Sequence, residues 1–89
     1  MKCGFDNRKS QTNKAKHGID FVEAQALWED PDFIEIPART EDESRFMVIG
    51  RIGDRVWAGV ITYRDVNIRL ISVRPASQKE VEIYEGKGI

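Results

Sequence analysis

The apolar positions of this chain change period near residue 33. Before it, Phe21, Ala24, Leu27 and Trp28 recur at i, i+3, i+6 and i+7, the core-facing stripe of an amphipathic helix. Asp20 is placed to cap that helix, with Glu23 three residues on as in a capping box and Ile19 able to fold back on Ala24. Asp30-Pro31-Asp32 then stops it. The stretch before it, Arg8–His17, is almost wholly polar, yet Asp6 or Asn7 can cap its start and Gly18 is placed to end it, so a first helix is predicted there. Beyond residue 33 the segments Ser44–Gly50, Val56–Tyr63 and Asn67–Val73 are rich in Val, Ile and aromatics, and Gly53-Asp54 and Arg64-Asp65 separate them as turns. They predict an antiparallel meander, with Phe33–Pro37 as a fourth strand. Pro75 reads as the opening of a last helix, on which Ala76, Glu80, Val81 and Tyr84 repeat at three and four. The expected fold is α+β, with two N-terminal helices, a four-stranded antiparallel sheet and a C-terminal helix. Its helices are expected on one face of the sheet and its other face partly open.

At 89 residues the chain is expected to form one domain over 1–89, with a modest core and its function on a surface or in a shallow groove. Cys3 is the single cysteine, which excludes an intramolecular disulfide, and no Cys/His cluster has metal-ligand spacing. No apolar run approaches the roughly 20 residues of a membrane span, and the start of the chain lacks the apolar stretch of a signal peptide. A cytoplasmic protein without membrane contact, metal or cofactor is expected.

The formal net charge of −1 conceals a segregation. Residues 1–19 carry a net +4, residues 20–44 a net −8, residues 45–79 a net +5 and residues 80–89 a net −2. The balance argues against a non-specific nucleic-acid coat, while local basic patches remain able to grip phosphates.

Several residues can carry chemistry, each with a plainer reading beside it. Lys16 and His17 fall in the last turn of the first predicted helix, where cations suit the helix dipole; they also suit a phosphate ligand and a proton carrier near neutral pH. With one histidine in the chain, a His–His ribonuclease mechanism is excluded. Arg69 and Arg74, five apart, point to opposite faces of a regular strand. They are either solvated charges or bidentate phosphate ligands, and Arg45 can add a further cation. Glu80 and Tyr84 share a helix face as a base and a proton donor, or as an ion-pair partner and a core-edge aromatic. Glu43 and Arg45 share a strand face and can pair. There is no Gly-rich phosphate loop, nucleophile elbow or HExxH. RNA cleavage fits such a set, because the substrate supplies its own nucleophile, the 2′-hydroxyl.

Taken in order, Asn13-x-x-Lys16-His17-Gly18-x-x-Phe21-x-x-Ala24, Asp30-Pro31, Glu43-x-Arg45, Ile68-Arg69-x-Ile71-Ser72-x-Arg74-x-Ala76 and Glu80-x-x-x-Tyr84 resemble the BrnT-type toxin family across nearly the whole chain. The resemblance implies a RelE-like fold and a metal-independent endoribonuclease of a bacterial type II toxin–antitoxin system that stops translation. On the toxin-ribonuclease reading, Lys16, His17, Arg69, Arg74, Glu80 and Tyr84 are the catalytic candidates, with Arg45, Arg69 and Arg74 on RNA phosphates. The resemblance further implies a BrnA-like antitoxin partner in a heterotetramer, with operator DNA bound only through the antitoxin. Pro75 is a departure: such sequences often carry a second basic residue there. The competing reading is an antitoxin-binding module or co-repressor with weak or no catalysis, in which the acidic 20–44 segment receives a basic partner. A third reading, weaker on this pattern, binds RNA on the basic sheet without cutting it.

Overall fold

Asp6 sets the start of the first helix. Its carboxylate accepts from the Arg8 and Lys9 amides at 2.7 and 3.2 Å, and α1 runs Asn7–His17. The computed structural model describes residues 3–38 and 44–86. Gly18 ends α1 at φ 82°, a left-handed conformation that costs glycine little, and its N–H donates to Lys14 O at 2.9 Å.

The second helix is a correction to expectation: Glu23–Glu29 is a 3₁₀ segment. Its capping box does form, with Glu23 N–H donating to Asp20 Oδ1 at 2.8 Å and Asp20 N–H to Glu23 Oε1 at 3.0 Å. At three residues per turn, Phe21, Ala24 and Leu27 align on one side, and all are buried. The alignment lets the segment lie close on the sheet. A Cβ at Gly50 or Gly59 would come within 3.1 Å of a Leu27 methyl, so two glycines on neighbouring strands make the seat for one leucine.

The strands are β1 (Cys3–Gly4), β2 (Ile34–Ala38), β3 (Arg45–Ile52), β4 (Arg55–Arg64) and β5 (Asn67–Pro75), in the order β1-β5-β4-β3-β2. The antiparallel meander of β2 to β5 is as expected. The fifth strand is not: β1 pairs in parallel with β5, Cys3 opposite Ile68 and Gly4 opposite Arg69, which makes the sheet mixed. Two residues carry no periodicity from which to read a strand. Two-residue loops join β3 to β4 and β4 to β5, with Gly53 and Asp65 at φ 64° and 57°; the second turn is Asp65-Val66, one residue later than the sequence signal.

Helices lie on both sheet faces, whereas all were expected on one; the C-terminal helix covers only part of the second face, which stays open at Arg69 and Ser72. Val48, Trp57, Ile61, Leu70 and Val73 join Phe21, Ala24 and Leu27 in the main core. Ile49, Val56 and Ala58 point the other way and meet Ala76, Val81 and Tyr84 on and beside α2 (Gln78–Tyr84). The near-continuous apolar runs of β3 and β4 have this cause, since a strand buried on both faces does not alternate. Pro75 closes β5 rather than opening the helix, and Ser77 caps α2 in a reciprocal capping box with Glu80. Among the described residues no helix is long and apolar enough to cross a membrane.

Candidate nucleic-acid interface

A single extra residue decides where the two arginines of β5 point. The pairing of β4 with β3 is regular throughout, but on the β5 side Val60 lies opposite Ser72 and Ile61 opposite Leu70, so Ile71 is a bulge. The bulge shifts the alternation by one. Arg69, Ser72 and Arg74 therefore lie opposite Thr62, Val60 and Ala58, alternate residues of β4 that share one face. The expectation of opposite faces assumed regular pairing, and the bulge overturns it. Along the strand the three positions follow at intervals of about 7 Å. Arg45 lies opposite Thr62 from the other side, so Arg45, Thr62 and Arg69 form one row across three strands, with the arginines about 10 Å apart in backbone spacing.

The two arginines differ in what they touch. Arg69 is exposed. Arg74 is half-buried beneath α2, and its Nη1 and Nη2 donate to Glu80 Oε1 and Oε2 at 2.7 and 2.8 Å. That fork holds the Glu80 carboxyl down to about 2, aided by the Ser77 amide at 2.8 Å and opposed by burial. Tyr84 lies elsewhere: its hydroxyl donates to Asp30 Oδ2 at 2.6 Å, while the Arg51 amide donates to the same oxygen at 2.8 Å. The Tyr84 hydroxyl, bound to a carboxylate, is pushed above its usual range, and the Asp30 carboxyl is drawn below its own. Asp30 thus ties the end of the 3₁₀ segment to β3 and α2, which gives the Asp30-Pro31 pair a structural role. Glu43 lies outside the described residues.

Lys16 and His17 owe their position to a helix with no apolar face. The buried residues of α1 are Ser10 and Asn13. Ser10 Oγ accepts from the Phe21 amide at 2.9 Å; Asn13 Nδ2 donates to Ile19 O at 2.8 Å, and Asn13 Oδ1 accepts from the Val73 amide at 3.2 Å. Asn13 so joins α1 to the outer edge of β5, past the end of short β1. The bonds clamp α1 beside the bulge and form a groove of about 290 Å³ with Lys16, His17, Arg8, Lys9 and Thr12 on one wall and Ile71 and Ser72 on the other. Ser72 joins the groove to the Arg69–Arg74 face. Lys14 is drawn off to Glu23 at 2.7 Å.

The structure thus brings Lys16 and His17 together beside Ser72 and aligns Arg69 and Arg74 on one face. It sets Glu80 against Arg74, and Tyr84 against Asp30. A family model described as the ribonuclease toxin BrnT of type II toxin–antitoxin systems matches residues 5–80. The chain belongs to this family. No curated protein matches the chain. Membership makes it a toxin component among the BrnT ribonucleases, a class in which the toxin is paired with an antitoxin.

In this BrnT chain the N-terminal motif is mostly scaffold. Asn13 clamps, Gly18 turns, and Phe21 and Ala24 fill the core; Lys16 and His17 are what that scaffold holds out. Sequence reading missed Arg8, Lys9, Thr12 and Ser72 as groove residues. The legible signal was a helix with no acid between Asn7 and His17 and with polar residues all round. On the core side of the sheet, near the acidic stretch, a second cavity of about 410 Å³ is lined by Trp28, Phe33, Tyr63 and Glu35 among others. There the Tyr63 hydroxyl, donating to Glu35 at 2.6 Å, is pushed up to about 12.

Proposed function

We propose that this chain is an endoribonuclease that cuts RNA without a metal ion, by attack of a 2′-hydroxyl on the neighbouring phosphate, and so inhibits translation. The bulge at Ile71 carries the reading, because it puts Arg69 on the same face as Ser72, and Ser72 lines the groove that holds Lys16 and His17. The 2′-oxygen–phosphorus bond forms as the 5′-oxygen–phosphorus bond breaks, leaving a cyclic phosphate and a 5′-hydroxyl. One proton must leave the 2′-hydroxyl and one must reach the departing 5′-oxygen; His17 and Lys16 are the proton carriers at the groove. Arg69, with Arg45 across Thr62, stabilises the charge that builds on the phosphorane oxygens. Arg74 adds positive potential but is engaged by Glu80, whose depressed pKa makes it a weak base. Glu80 and Tyr84 then serve as positioning residues for α2.

The proposed partner is a BrnA-like antitoxin in a heterotetramer, with operator DNA contacted only through it. The aromatic cavity beside Glu35, with exposed Phe33 and Tyr63, supports a partner surface separate from the basic groove. The engagement of Arg74 favours the alternative reading, an antitoxin-binding module or co-repressor with little catalysis.

Cleavage of bulk RNA in excess EDTA by the wild type and by Arg69→Ala tests the enzyme reading. Arg69 is exposed, so its loss should change stability by no more than about 0.5 kcal/mol. Cleavage by the wild type and a loss of roughly a hundredfold in a variant of unchanged Tm are expected, as for removal of an oxyanion ligand. A wild type that leaves RNA intact while still binding antitoxin would select the binding-module reading. Arg74→Ala is the less clean test, because it would strand the Glu80 carboxylate.

A further inference from the structure

We propose that the α1 wall of the groove is a binding track for the backbone of single-stranded RNA, with Arg8 and Lys9 holding a phosphate away from the one that is cut. The inference rests on the ribonuclease reading for its substrate class, and on four features of α1 for its place. Arg8, Lys9, Thr12, Lys16 and His17 line one groove rather than scattered surface, and Arg8 and Lys16 stand eight residues apart, about 12 Å along the axis. That length exceeds what one phosphate occupies and leads toward the proposed cleavage position at Lys16, His17 and Arg69.

Arg8 and Lys9 also sit where helix stability alone would not put them. Both lie in the first turn of α1, which has no acidic side chain, and cations there oppose the helix dipole. Asp6 is the adjacent carboxylate, and it is taken up by the Arg8 and Lys9 amides. Among the described residues neither side chain makes an ion pair, whereas Lys14 on the same helix is paired with Glu23. An exposed cation that opposes its own helix dipole and pairs with no acid among the described residues suits an anionic ligand. Thr12, between the two cation pairs, donates its hydroxyl proton to Arg8 O at 3.0 Å, so the cations are the wall's donors for an anion. Ile71 gives the facing wall an apolar patch for a ribose.

The probe is a short 2′-O-methyl RNA, which lacks the attacking hydroxyl and so reports binding without cleavage. Its Kd is measured against salt concentration for the wild type and for the double variant Arg8→Gln, Lys9→Gln. Losing the grip on that one phosphate should flatten the log Kd against log salt slope by about 0.7 and weaken binding roughly tenfold at low salt. Because the cations oppose the dipole, Tm should hold or rise, whereas a merely structural role would lower it. Equal Kd and slope in the two proteins would overturn the track, as would a wild type that fails to bind the probe. The two readings separate cleanly: a wild type that binds with the expected slope but never cuts unmodified RNA loses the enzyme and keeps the track. A wild type that cuts RNA, beside a double variant that binds and cuts equally well, loses only the track.

Discussion

Two elements lie against the core face and the edge of the same sheet, and they are held by opposite means. The 3₁₀ segment is fixed by burial: Ala24 and Leu27 are fully buried, and Leu27 fills the space that Gly50 and Gly59 leave. The first helix is fixed by polar contacts, with Ser10 and Asn13 as its buried residues and three hydrogen bonds in place of an apolar stripe. Burial is non-directional and tolerates small shifts, while a hydrogen bond fixes distance and angle. The element that presents Lys16 and His17 is the one fixed by direction. A helix docked this way also spends no side of itself on a core, and most of its surface is left for charge.

The comparison breaks most severely at Leu27. Leu27→Ala removes a fully buried side chain above two glycines that cannot fill the gap, and should destabilise the protein by about 2–5 kcal/mol. Chemical denaturation should show the loss in the whole transition. A change below about 1 kcal/mol would mean that the segment is not a core element.

Asn13→Ala should cost less, about 1–3 kcal/mol, by stranding the Val73 amide and the Ile19 carbonyl. Its effect should also be local. Hydrogen exchange should rise in α1 and at Val73 before it rises at Val48 or Ile49, and RNA cleavage should fall further than stability does. Uniform exchange across the sheet would contradict a directional clamp. Asn13→Asp sharpens the point, since it keeps the acceptor for Val73 and loses the donor to Ile19.

The same division explains what could be read from the sequence. The meander, its first turn and the first capping box follow from residue types that act within a few positions, such as Asp20 with Glu23 or Gly53 at positive φ. The fifth strand, the 3₁₀ winding and the placing of α2 on the second face depend on neighbours distant in the chain. The spacing of Phe21, Ala24 and Leu27 was itself a 3₁₀ signature, and the unbroken apolar runs of β3 and β4 announced two buried faces. For the site, the residue types in the groove were legible, but the bulge was not. Ile71 looks like any strand residue, and only the register against Val60 and Ile61 reveals that it turns Arg69 and Arg74 to the same side.

The smallest expected effect concerns the Arg74–Glu80 fork, which separates the engaged arginine from the exposed Arg69. Glu80 is held down to about 2 from an ordinary 4.5, so its folded form is favoured as the carboxylate. A depressed carboxyl contributes stability that is present above its unfolded pKa and is lost as pH falls through its folded one. With Arg74 partly exposed, that contribution is modest, about 1 kcal/mol after screening by solvent. Glu80→Gln should therefore lower Tm at pH 6 by a few degrees, and the gap to the wild type should close between about pH 4.5 and 2. A gap that stays constant over that window would show that the fork contributes packing rather than charge. If the gap closes and the variant still cuts RNA at pH 6, Glu80 is no base in the reaction, and its part is to hold Arg74 under α2 while Arg69 remains open to the substrate.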